Sequence, residues 1–246
     1  MGRHARASAL GLAIGLGTAM PATAAGTLAF FATGEGLATR GFVEPQRTKD
    51  GWTLRFDHVF VTLAEIAAHQ AEPPYDARQG GAIAAVATVG LDGVRTLDVV
   101  QGDADDRLLV AAVAAPEGHF NAVSWRMAPA ADGPHAGYAM VFVGTAERDG
   151  AAARFVLRSA ETRAYRCGEY VGDERKGFVV AGATADVELT FHLDHVFGRA
   201  DRPADDPMNV AALGFDPFAA GGDHAISLEG LHIGHAGEGH CHVVAD

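Results

Sequence analysis

Seven histidines, His192, His195, His224, His232, His235, His240 and His242, fall after position 190 of this 246-residue chain. A neutral imidazole nitrogen is the commonest protein ligand for zinc and a good one for Cu(II), because it offers a lone pair at neutral pH. His192-x-Asp194-His195 adds a carboxylate to two such nitrogens. On an extended chain His192 and Asp194 share a face, while His195 turns toward the core unless a bulge redirects it. Further along, a helix begun at Ser227 would stack His232 over His235, and an extended end would put His240 and His242 on one face. The candidate ligand set is therefore His192, Asp194, His195, His232, His235, His240 and His242, with His58 added by the internal echo described below. Zinc is the expected metal and Cu(II) the alternative. Beyond the leader, methionine occurs only at Met127, Met140 and Met208, which counts against a Cu(I) site built on thioethers.

The two cysteines, Cys167 and Cys241, allow two readings. In an oxidising compartment they form a disulfide, closing a long loop for about 4 kcal/mol in the chain-entropy model. Alternatively Cys241, inside His240-Cys241-His242, serves as a thiolate ligand. The compartment is inferred from residues 1–25, which have the pattern of a secretory signal. Arg3 and Arg6 precede the apolar run Ala7 to Met20, and Ala22-Thr23-Ala24 is a small-residue cleavage site. The run is shorter than the roughly 20 residues a membrane span needs, so no membrane span is expected in the mature chain. A soluble periplasmic protein is expected.

What must position these groups is a β-rich scaffold. Short segments of strong β formers alternate with Gly, Asp and Pro between Trp52 and Phe197, and Asp149-Gly150 marks a hairpin. The last of these expected strands runs from Thr184 to Phe197. Such spacing predicts an all-β fold, an antiparallel sandwich of immunoglobulin-like or Greek-key type. Residues 26–197 form the sandwich. Residues 198–246 form a loop, a short helical segment and the His-rich tail, packed on the same domain. The tail is expected to fold back onto the end of the Thr184 to Phe197 strand, tethered by Cys167 and Cys241. Phe56-Asp57-His58-Val59-Phe60 is echoed by Leu193-Asp194-His195-Val196-Phe197, which predicts two strands in the same phase.

Several classes are excluded. The formal charge of −12 argues against nucleic acid and anionic membranes as partners. There is no G-x-S-x-G elbow, no H-E-x-x-H and no phosphate-binding loop, so no enzyme is expected. Phe215 to Leu231 has the cadence of half an EF-hand, but Ala219, Gly221 and Gly230 stand where ligands belong. A superoxide-dismutase arrangement fails because the His-x-His pair lies at the wrong end of the chain.

Trp52, Phe56-Asp57-His58, Ala115-Pro116-Glu117-Gly118-His119-Phe120 and Thr190-Phe191-His192-Leu193-Asp194-His195-Val196-Phe197 carry a resemblance. Together they resemble an uncharacterised family of bacterial exported β-sandwich proteins. The resemblance covers most of residues 50–230 and implies a fold without an activity. Two functions follow. One is a periplasmic metal-binding protein for storage, delivery or sensing, with a periplasmic or outer-membrane transport protein as partner. The other is a non-catalytic sandwich that binds a protein or glycan through its loops, its histidines incidental.

Overall fold

The computed structural model describes residues 25–168, 176–237, 239 and 241–244. The expected leader, Glu238 and His240 lie outside the described residues. The chain opens with β1 (Gly26–Thr33), α1 (Glu35–Thr39), β2 (Thr53–Ala71), β3 (Ala85–Gly90) and β4 (Arg95–Asp98). There follow β5 (Arg107–Ala115), β6 (Gly118–His119), β7 (Ala122–Met127), β8 (Met140–Arg148), β9 (Ala151–Ser159), β10 (Arg163–Cys167) and β11 (Phe178–Val179). The remainder is β12 (Thr184–Phe191), α2 (Asp194–Phe197), α3 (Pro207–Ala211), β13 (Gly222–Ala225), β14 (Gly234–His235) and β15 (Cys241–Val244).

Two main sheets share one core, with β6 and β11 paired as a separate two-stranded sheet, giving a sandwich-like all-β fold. Of the two main sheets, the smaller has the order β14-β12-β1-β5, and the larger β13-β9-β8-β2-β7-β10-β15, with β3 and β4 also paired to β2. Most pairs are antiparallel, but β1 runs parallel to β12 and β13 parallel to β9, two exceptions to the antiparallel expectation. The sequence pattern also leaves out β1. Its run Thr27-Leu28-Ala29-Phe30-Phe31-Ala32 barely alternates, because the strand lies between β12 and β5 in the middle of its sheet. The Asp149-Gly150 turn joins β8 to β9 as predicted, and both residues have the positive φ that a two-residue hairpin needs.

β2 organises the larger sheet by pairing with four strands along its 19 residues. A bulge between Phe56 and His58 breaks its alternation. Phe56 and Val59 are therefore buried while His58 is exposed, which reverses the face assigned by a strict two-residue period. The echoed segment does something different. β12 ends at Phe191, and Asp194–Phe197 is a helical turn. Leu193, Val196 and Phe197 are all fully buried at the i, i+3, i+4 spacing of a helix face. Phe197 packs against Phe42, Phe56 and Phe142, with ring centroids 5.4–6.0 Å apart. Gly198, at φ 67°, stops the turn and donates to the Asp194 carbonyl. Similar pentapeptides thus adopt different backbones, and the expected strand to Phe197 is corrected to one that stops at Phe191.

The long connection after α2 is held by its own Asn209 and by two side chains from an early loop, Lys49 and Asp50. Asn209 accepts from the Arg199 amide and donates to the Arg199, Arg202 and Pro203 carbonyls. Lys49 donates to the Asn209 and Ala212 carbonyls. Asp50 accepts from the amides of Phe215 and Asp216, each at 2.6 Å. These bonds satisfy backbone groups that the loop cannot pair within itself. They also hold α3 beside α2.

His69, half-buried on β2, bridges Thr88 of β3 and Ser124 of β7 at 3.0 and 2.9 Å. Burial lowers its pKa below the ordinary 6.5, so the folded chain keeps it neutral where the unfolded chain takes up a proton. The stability linked to this group is present above about pH 6.5 and is lost as pH falls through the folded value. Thermal unfolding followed between pH 7.5 and 5 should show the midpoint dropping over the acid half of that range. His69→Gln should flatten that drop; an unchanged profile would remove His69 as its source.

Candidate metal centre

The helical turn decides the geometry. His192 lies two residues before it and His195 within it, so the two rings come to one side, stacked with centroids 5.6 Å apart. This corrects the strand-based expectation that His192 and Asp194 share a face while His195 points inward. The polar face of the turn thus opposes the buried face formed by Leu193, Val196 and Phe197.

β14 supplies the third ring. It pairs with the end of β12, Thr190 opposite His235 and Phe191 opposite Gly234, and the His192 amide donates to the Ile233 carbonyl. The His235 ring lies 4.4 Å from that of His192 and 5.5 Å from that of His195, edge to face with both. Close approach here depends on Gly234. A Cβ at that position would sit 2.6 Å from the Tyr165 ring. The expected helix from Ser227 does not form, and His232 reaches His235 through its backbone, the carbonyl lying 3.2 Å from His235 Nε2.

Two carboxylates stand close to the rings. Glu35 Oε2 lies 3.2 Å from His192 Nδ1. Glu35 adopts φ 54°, and Thr33 holds it there by accepting the Glu35 amide while donating its own hydroxyl to the Asp106 carbonyl. No sequence signal marks Glu35, because only the parallel pairing of β1 with β12 brings it to the site. Asp194 Oδ1 is buried without a hydrogen-bond partner, and Oδ2 is 3.8 Å from Arg199. Burial lowers the pKa of His195; nearby His192 and His232 lower it further, against Asp194 and Glu35, which raise it. Its imidazole is accordingly neutral at neutral pH, the form that ligates metals.

A cavity of about 710 Å³ opens beside the cluster, lined by His195, His232, His235, His242, Met208 and Cys241 among others. Cys167 and Cys241 are joined in a disulfide, directly opposite each other on β10 and β15. The segment after β12 therefore folds back and is tethered by Cys167–Cys241. His58 belongs elsewhere. Its Nδ1 is 2.7 Å from Asp98, and its ring stacks on Phe60, whose other neighbour is His135. Of the predicted ligands, then, His192, His195 and His235 have adjoining rings with Asp194 beside them, and His232 and His242 line the cavity. Among the described residues, no three His, Cys, Asp or Glu groups already converge their donor atoms as a metal centre would. Comparison with family models, curated proteins and solved structures finds no match to the chain.

Gly234→Ala should destabilise the fold by roughly 1–3 kcal/mol, the usual cost of an overpacked contact. Urea unfolding measures this, and a midpoint equal to wild type would show that β14 can shift without loss.

Proposed function

We propose that this is a metal-binding protein that holds zinc, or alternatively Cu(II), through His192, His195 and His235. One observation carries the reading. Three imidazoles, two at one helical turn and one from β14, lie with ring centroids 4.4–5.6 Å apart, and those of His195 and His235 line a cavity. Rotation of these rings about their side-chain torsions is the adjustment that would aim three nitrogens at one ion. His232 and His242 are further donors in the cavity wall, and Asp194 and Glu35 supply the negative charge that favours a dication. The buried, unpaired Asp194 Oδ1 supports this reading, since such an atom costs free energy until it finds a partner.

The disulfide and the leader-like first 25 residues support export to the periplasm. No helix among the described residues is long and apolar enough to cross a membrane. Storage, delivery or sensing of the ion is the role proposed, with a transport protein of the periplasm or outer membrane as partner.

Elemental analysis tests this directly. After exposure to zinc or copper and exhaustive dialysis, the untagged protein should retain about one ion per chain, with one metal preferred. Paired His192→Ala and His235→Ala substitutions should abolish retention while the far-ultraviolet circular dichroism stays native. Retention should also weaken from roughly pH 7 to 5, because each ligand must shed its proton. Absence of metal in the wild-type protein would instead favour the interaction-module reading.

A further inference from the structure

The disulfide shares its cavity with the histidines. Residues opposite one another on antiparallel strands project to the same face, and so do residues two apart. Cys167, Cys241, Tyr165 and Val243 therefore share one face of the β10–β15 pair. That is the face on which β14 packs, since Gly234 lies against the Tyr165 ring and His235 follows it. Reciprocal backbone bonds between Ala236 and Gly239 then turn the chain from β14 into β15. Cys241 thus comes to line the cavity with His195, His232, His235 and His242. Cys167, by contrast, is completely buried. Of the two cysteines, only Cys241 borders a space that a ligand can enter.

We propose that Cys241 is a latent thiolate ligand of this cavity, unmasked when the disulfide is reduced. The proposal rests on the metal-binding reading above and extends it to the class of ion bound. In the step, a dithiol reductant gives up two electrons and becomes a disulfide, while Cys167–Cys241 takes them up and becomes two thiols. Cys241 loses its proton as it binds the ion. The oxidised cavity offers four imidazoles, which suit zinc and Cu(II), and the Met208 thioether. The reduced cavity adds a thiolate to them, which favours thiophilic ions, zinc and Cu(I). Four residue pairs still hold β15 to β10 without the disulfide, so the strand stays in place to present the thiolate.

Co²⁺ alone is the probe, added anaerobically to the full chain before and after reduction and removal of the reductant. The oxidised protein should show ligand-field bands without sulfur-to-cobalt charge transfer. Reduced wild type and Cys167→Ser should gain a near-ultraviolet charge-transfer band, and Cys241→Ser should lack it after the same treatment. Near-ultraviolet circular dichroism, which reports the buried Trp52 and Trp125, monitors the fold throughout. The proposal is overturned by a folded, reduced protein whose cobalt spectrum matches the oxidised one. It is also overturned if reduction and Cys167→Ser both abolish the native signal. Failure of the oxidised protein to bind Co²⁺ at all would instead count against the histidine site itself.

Discussion

The segment Gly234–Val244 belongs to both sheets, and the site depends on that fact. β14 extends the smaller sheet beside β12, and within a few residues β15 extends the larger sheet beside β10. A strand pair as short as β14 and β12 holds little by itself. It is held from the other side by the disulfide, which in the chain-entropy model removes about 4 kcal/mol of freedom from the unfolded chain. The tether restrains His235 against His192 and keeps Gly234 against Tyr165. Without it, bringing these rings together would cost the ordering entropy of a glycine-rich stretch.

The class of fold was legible because it rests on short-range patterns. Strand-forming runs at regular spacing and the Asp149-Gly150 turn need no tertiary knowledge, and strands form along the Trp52 to Phe191 stretch that they mark, while β1 and β13 to β15 lie outside it. What escaped was phase. At Phe56-Asp57-His58 a bulge shifts the alternation by one residue, and no residue in that stretch announces it. At Leu193–Phe197 the helical signal was present, in apolar residues at i, i+3, i+4 followed by Gly198, but the likeness to residues 56–60 masked it. A five-residue echo carries less information than the core it is packed into. Phe197 is drawn into the aromatic cluster around Phe42 and Phe142, and a helical turn satisfies that demand.

The candidate site was half legible for a related reason. His192, His195 and His235 stand out by residue type alone, and the fold-back follows once Cys167 and Cys241 are joined. Glu35 was out of reach, since nothing local ties α1 to the end of β12. Met208 was visible as a residue but not as part of the cavity wall. Its place there depends on Lys49 and Asn209 holding α3 against α2.

The balance of charge around the rings bears on which state of the site is stable. Burial disfavours a proton on His195, against the pull of Asp194, so this imidazole does not neutralise the carboxylate by protonation. Asp194 keeps one oxygen buried and unpaired, while the Arg199 guanidinium is engaged mainly by Asp201, at 2.6 and 2.9 Å against 3.8 Å to Asp194. On the proposed reading a bound dication relieves that imbalance, because it supplies positive charge and uses the lone pair that burial keeps unprotonated on His195. What would draw the ion is then the charge of Asp194 and Glu35 rather than the burial of the rings, since desolvation penalises two charges more than one.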